Sequence, residues 1–246
     1  LKFFLKKSTK MDDETFLKQF PLRSKGRLLV TADKGKHFRL KGVNWYGASD
    51  CCHVPGGLSA ASVQQICETI KAIGFNVVRL PWSNEAVRLG RSVECSGEEL
   101  DVTKSTSSAP SITPVIPDGC IDFNINPELH DGARSGNPLA ILDYVVEQLG
   151  KNHITVVINN HTTYGRWSGG LERNGLWFDQ HDNSFSEASW IDDWVFMVKR
   201  YSHLPFVVGC DLRNEVRPVS LMRSKLFLLG QETQTLMVWK ACPHLR

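Results

Sequence analysis

No run of about 18 apolar residues occurs in the chain, so no segment is long and apolar enough to span a bilayer as a helix. Cys-x-x-Cys spacing is missing too. Cys51 and Cys52 are adjacent, while Cys67, Cys95, Cys120, Cys210 and Cys242 are scattered, which argues against a zinc site. Charge of one sign is scarce: the net charge is +3 over 246 residues, and outside the cluster from Lys2 to Lys10 the basic residues are dispersed. Neither nucleic acid nor a membrane is therefore an expected partner. No Gly-x-Gly-x-x-Gly follows a strand-like segment, which weakens a dinucleotide-binding reading.

What is present is an ordinary globular composition, 41% hydrophobic and 22% charged, able to build a sizeable core. The odd total of seven cysteines fits an oxidising compartment as well as buried thiols, and it tips the expectation towards an extracellular protein. The opening LKFFLKKSTK lacks the apolar stretch of a secretory leader, so any targeting segment is expected upstream of Leu1.

Strand-like and helix-like segments alternate. A polar lead over 1–25 precedes Leu28-Leu29-Val30 and His37-Phe38-Arg39-Leu40, which flank Asp33-Lys34-Gly35-Lys36 and predict an N-terminal β-hairpin. Lys41 to Gly47 reads as a short strand, and Val63, Ile66, Cys67 and Ile70 follow at helical spacing. Phe75 to Trp82 is a second strand, closed by Pro81. A Ser/Thr/Pro/Gly-rich insertion over 91–119 reads as a long surface loop. Pro138 to Leu149 returns to helical spacing, the β-branched run Ile154 to Ile158 reads as a strand buried on both faces, Trp190 to Tyr201 is amphipathic, and Phe206 to Leu212 is a fourth strand. Such alternation implies a parallel α/β sheet with right-handed crossovers, either closed or doubly wound.

Each strand ends in polar or aromatic residues: Asn44-Trp45, Arg79 with Trp82, His161, and Asn214-Glu215. In a barrel those ends meet on one face, where active sites sit. A carboxylic acid beside an amide, with an arginine and a histidine converging on them, suits glycosidic bond cleavage. Glu215 is the expected proton donor, kept protonated by partial burial among aromatic rings. Asn214 is placed to bond a sugar 2-hydroxyl, Arg79 to orient a carboxylate, and His161 to fix hydroxyls or that carboxylate. Trp45, Asn44, Trp82 and Trp167 are the candidate substrate-binding residues at the rim. Taken singly, each has a blander reading as a solvated loop acid, a structural ion-pair member or a satisfied core histidine. Trp190 and Trp194, four apart on a helix, read as core. Asn160-His161-Thr162 matches a glycosylation sequon, but a position in the mouth makes glycan attachment improbable.

The segments FRLKGVNWYG, GFNVVRLPWS, NPLAILDYVVEQLGKNHITVVINNHTT, NGLWF, WIDDWVFMVKRY and VVGCDLRNEVRP, in that order, resemble glycoside hydrolase family 5, the cellulase-type family. The match runs roughly from Gly26 to Pro218. It implies a (β/α)8 TIM-barrel of which the first four β-α units lie in 26–218, followed by a divergent tail over 219–246. It also implies that Arg79 and His161 belong to the family's invariant set, that Asn214 contacts substrate, and that Glu215 is the acid/base of a retaining mechanism. The implied substrate is a β-linked polysaccharide such as β-1,4-glucan or mannan, and no cofactor or metal is required. The family takes its nucleophile from the seventh strand. Only about thirty residues follow Glu215, roughly one β-α unit. The chain is therefore expected to be incomplete and weakly active or inactive, with a catalytically silent carbohydrate-binding fragment as the alternative. Glu232 imitates a strand-end nucleophile only superficially. A metal-dependent barrel hydrolase would show His-x-His at the first strand end, where Asn44-Trp45-Tyr46 stands instead.

Overall fold

Asp12 caps the first helix, α1 (Asp13–Leu17), by accepting the Thr15 backbone N–H at 2.7 Å. The computed structural model describes residues 11–96, 116–169 and 172–217. Short as it is, α1 buries Phe16, whose ring meets Phe20 edge-on at 5.1 Å and lies 6.4 Å from that of Phe206. The second half of the expected polar lead thus supplies core.

The N-terminal hairpin forms one step earlier than expected. Strand β1 (Arg23–Lys25) pairs antiparallel with β2 (Leu28–Val30) across Gly26, whose φ of +61° is open to glycine at no steric cost. The anticipated second arm, His37 to Leu40, contracts to a single bridge between Val30 and His37, with the Phe38 N–H on the Leu29 carbonyl at 2.8 Å.

Four strands then make one parallel sheet in sequence order: β3 (Gly42–Asn44), β4 (Val77–Ser83), β5 (Thr155–Thr162) and β6 (Val207–Asp211). Helices intervene, as parallel connections require. They are α2 (Val63–Ile73), α3 (Asn84–Ser96), the single turn α4 (His130–Arg134), α5 (Pro138–Lys151) and α6 (Glu187–Tyr201). Their limits follow from local chemistry. Ser62 and Gln65 form a reciprocal capping box on α2, and Gly74 at φ +98° ends it. Asn137 caps α5 with Pro138 just inside, and Ser186 caps α6.

Two boundaries depart from the sequence reading. Pro81 does not close β4, which runs on to Ser83; β3 pairs only as far as Arg79, so the missing N–H interrupts no ladder on that side. Residues 91–96, assigned to the insertion, continue α3 because Arg88 and Arg91 pair with Asp193 and Asp192 of α6. Insertion residues 97–115, the tail over 219–246 and Glu232 lie outside the described residues, while 116–119 are described and bury Ile116.

The outer faces of β4 and β5 pack on the helices. Val78, Leu80, Trp82, Val156 and Ile158 are buried with Leu142, Val146, Leu149, Trp190, Trp194 and Met197. Trp82 meets Trp194 edge-on at 5.0 Å, and Trp190 and Trp194 are core as their helical spacing predicts. Arg200 of α6 grips Asp143 on α5 and Glu94 on α3, both at 2.6 Å, tying three helices on the outside.

Candidate active site at the carboxyl ends of the sheet

Side chains alternate across a strand, so Arg79 points to the face of β4 opposite the one that carries Leu80 and Trp82. There it gathers groups from β3, from β6 and from the segment just beyond β6. Its Nε and Nη2 donate to Asp211 Oδ2 of β6 at 2.8 and 2.7 Å, Nη2 donates to Asn214 Oδ1 at 2.9 Å, and Nη1 reaches Asn44 Oδ1 of β3 at 3.5 Å. The carboxylate that Arg79 was expected to orient is thus Asp211, a residue the sequence reading assigned no role. Its signal was an acid ending an apolar strand three positions before Asn214.

Asn214 is anchored a second time, its backbone N–H donating to the Asn160 carbonyl at 2.9 Å. With its amide oxygen accepting from Arg79, the Asn214 side chain has its NH2 group as donor. Glu215 follows with φ +36°, the left-handed region that non-glycine residues seldom adopt. Its side chain is 72% exposed and accepts from Arg217 Nη1 at 2.9 Å, while Arg217 Nη2 donates to Ser168 Oγ at 2.7 Å. The partial burial among aromatic rings expected for Glu215 is therefore not met; its nearest charged neighbour is a guanidinium.

His161 closes the side at β5. Its Nδ1 lies 2.8 Å from Asn159 Oδ1, and its ring stands edge-on to Tyr46 at 5.9 Å. Burial, then the nearby charges of Arg79 and Arg213, push its imidazole down to about 4; Glu215 and Asp211 oppose this without overturning it. At neutral pH it is a neutral ring. Tyr46, a further residue that the sequence reading passed over, donates to Asp50 at 3.2 Å, and burial with that carboxylate raises its phenol to about 12. Beside it, loop residues of the β3–α2 connection and Gly119 surround a cavity of about 290 Å3, held by the Cys52–Cys120 disulfide.

The four rim candidates separate. Asn44 joins the Arg79 cluster, and Trp167 is 74% exposed on the loop after β5, next to Ser168. Trp45 and Trp82 correct the expectation. Trp45 is 6% exposed with its indole N–H on the Gly56 carbonyl at 2.8 Å, and Trp82 is 1% exposed beneath α6. Neither offers an open ring face, because each lies an odd number of residues from its inward neighbour, Asn44 or Arg79. Asn160, also completely buried, cannot carry a glycan.

A parallel sheet backed by helices, with its polar side chains converging at the strands' carboxyl ends, defines a (β/α)-barrel protein, and its candidate site lies on the face where barrel enzymes carry theirs. Residues 32–232 match the family Cellulase (glycosyl hydrolase family 5), and the chain belongs to that family. Its described sheet corresponds to part of the (β/α)8 barrel. An endoglucanase of Paenibacillus polymyxa is 28% identical over 76% of this chain and 38% of its own length. The major extracellular endoglucanase of Xanthomonas campestris is 30% identical over 76% of this chain and 31% of its own length. The solved catalytic domain of the major endoglucanase from Xanthomonas campestris superposes with a TM-score of 0.62 at 26% identity, over 86% of this chain and 52% of that one. The chain thus spans about a third of the length of the curated relatives it matches.

Proposed function

We propose that this chain supplies the proton-donating side of a retaining glycoside hydrolase site acting on a β-linked polysaccharide, β-1,4-glucan or mannan. The observation that carries the reading is the double fastening of Asn214, its side chain by Arg79 and its backbone N–H by the Asn160 carbonyl, which supports Glu215 as the next residue at the mouth. The endoglucanase relatives support the substrate class. In this reading the protonated Glu215 carboxyl, freed from Arg217, gives its proton to the glycosidic oxygen as the bond to the anomeric carbon breaks and a second carboxylate bonds that carbon; water then displaces that carboxylate, giving its proton back to Glu215. Asn214 donates its free amide hydrogens to a ring hydroxyl, Trp167 supplies the stacking face, and neutral His161 holds a hydroxyl by hydrogen bond. The retaining route needs a second carboxylate about 5 Å from the first. It is not assigned to any described residue. The Cys52–Cys120 disulfide, together with an extracellular relative, supports a secreted protein.

The test has two arms. Titrating cellotetraose and mannotetraose while following tryptophan fluorescence should give a saturable change that Trp167→Ala removes. Reducing-sugar release from soluble β-glucan and β-mannan should be weak or absent for this chain, and present when the rest of the barrel is supplied. Glu215→Gln should then lower turnover by about 10²–10⁴-fold. Full turnover in Glu215→Gln overturns the assignment. Saturable binding with no turnover in any form leaves the alternative, a catalytically silent carbohydrate-binding protein.

A further inference from the structure

Arg213, one residue before Asn214, is 7% exposed and donates to four neutral oxygens. Two belong to the end of β5 and its continuation, Asn160 Oδ1 at 2.9 Å and Thr163 Oγ1 at 3.0 Å. Two are backbone carbonyls of the loop before α6, Asn174 at 2.8 Å and Leu176 at 2.6 Å. Among the described residues no carboxylate pairs with it, and its Nε has no hydrogen-bond partner. Two residues beyond Glu215, the Arg217 backbone N–H donates to the Gly175 carbonyl at 2.8 Å. The same three residues, 174–176, are therefore gripped on both sides of Glu215. A side chain at position 175 would sit 2.8 Å from the Arg217 carbonyl oxygen, so glycine is required for the grip. Glu215 holds its left-handed φ between these two anchors, and a strained backbone of this kind persists only where its surroundings over-determine it.

We infer that Arg213 is a positioning residue for the Asn214-Glu215 pair: its buried guanidinium clamps segment 174–176 onto the end of β5 and brings a positive charge with no ion-paired carboxylate into the wall of the mouth. The clamp fixes where Glu215 points. The charge acts on His161, which is faced by Arg79 from β4, Asp211 from β6, Arg213 and Glu215 beyond it, Asn159 on its own strand and Tyr46 from the β3–α2 loop. Burial lowers the Arg213 guanidinium to about 9, which leaves it protonated at neutral pH. Arg79 has the ion-paired Asp211 to offset its charge, whereas Arg213 makes no ion pair among the described residues and feels Glu172 only through space, against the like charge of Arg217.

The inference rests on reading Glu215 as the proton donor, but its test needs no turnover. NMR of this chain would follow the His161 imidazole titration and the exchange rate of the Arg217 amide in the parent, Arg213→Met and Arg213→Lys. Arg213→Met should raise the His161 midpoint by about one pH unit and speed Arg217 amide exchange about tenfold or more. Arg213→Lys keeps the charge but cannot bridge four acceptors, so the midpoint should stay parental while exchange still accelerates. An unmoved midpoint in folded Arg213→Met removes the charge role, unchanged exchange removes the clamp, and either overturns the inference. Should Arg213→Met fail to fold, Arg213→Lys decides: parental exchange, or a shifted midpoint, overturns it. Full turnover in Glu215→Gln, once the rest of the barrel is supplied, would sink the proposed function without altering these readouts.

Discussion

The middle of the sheet and its margins are built from similar residues yet behave differently. β4 and β5 have a hydrogen-bonded strand on each side and are buried along almost their whole length, while β3 and β6 have one partner each among the described residues and remain half exposed. The chemistry divides along the same line. Asn44 and Asp211 sit on the marginal strands with Asn214 and Glu215 just beyond, while the centre contributes Arg79, which bonds to Asn44, Asp211 and Asn214, and His161, which feels the charges of Asp211 and Glu215. A buried middle holding one long cation is how the two half-exposed margins are tied to a common geometry.

The largest expected effect breaks the centre. Trp82→Ala removes a fully buried indole from between β4 and α6 and should cost about 3–5 kcal/mol in denaturant melts. Val207→Ala on β6 should cost about 1 kcal/mol. Equal losses would erase the distinction between centre and margin.

Severing the link between the two comes next. Arg79→Met leaves Asp211 and Asn214 without their shared donor and should cost about 1–3 kcal/mol. The loss should come with changed amide shifts at Asn44 and Asn214 on opposite margins; a change confined to β4 would show that Arg79 does not join them.

The smallest effect is a slope with pH. His161 has a folded value of about 4 against an ordinary 6.5, so over that interval the unfolded chain takes a proton the folded one refuses. Its contribution is complete above the upper value and is lost as pH falls towards the lower. Urea melts at pH 7 and pH 4.5 should therefore show a larger loss for the parent than for His161→Gln. Identical losses would place His161 in solvent rather than in the wall of the mouth.

Much of this frame is legible in one dimension. The β-branched run Ile154 to Ile158, the caps Ser62, Asn137 and Ser186, and the helical spacing of Trp190 and Trp194 each state their element locally. Even the burial of Trp45 and Trp82 is written there as strand parity, though residue type alone places them at the rim. By contrast, the end of α3 depends on Asp192 and Asp193, about a hundred residues later, and so was not legible locally.

Sequence alone determined the β-α alternation and which polar residues end the strands, because hydrophobic period, capping and turn chemistry act between near neighbours. Only the tertiary structure decided that Arg79 takes Asp211 as its carboxylate, that Arg213 grips 174–176 without one, and that Glu215 meets Arg217 rather than an aromatic wall. Hydrogen bonds and charge pairing act over a few ångströms of space and are indifferent to distance along the chain.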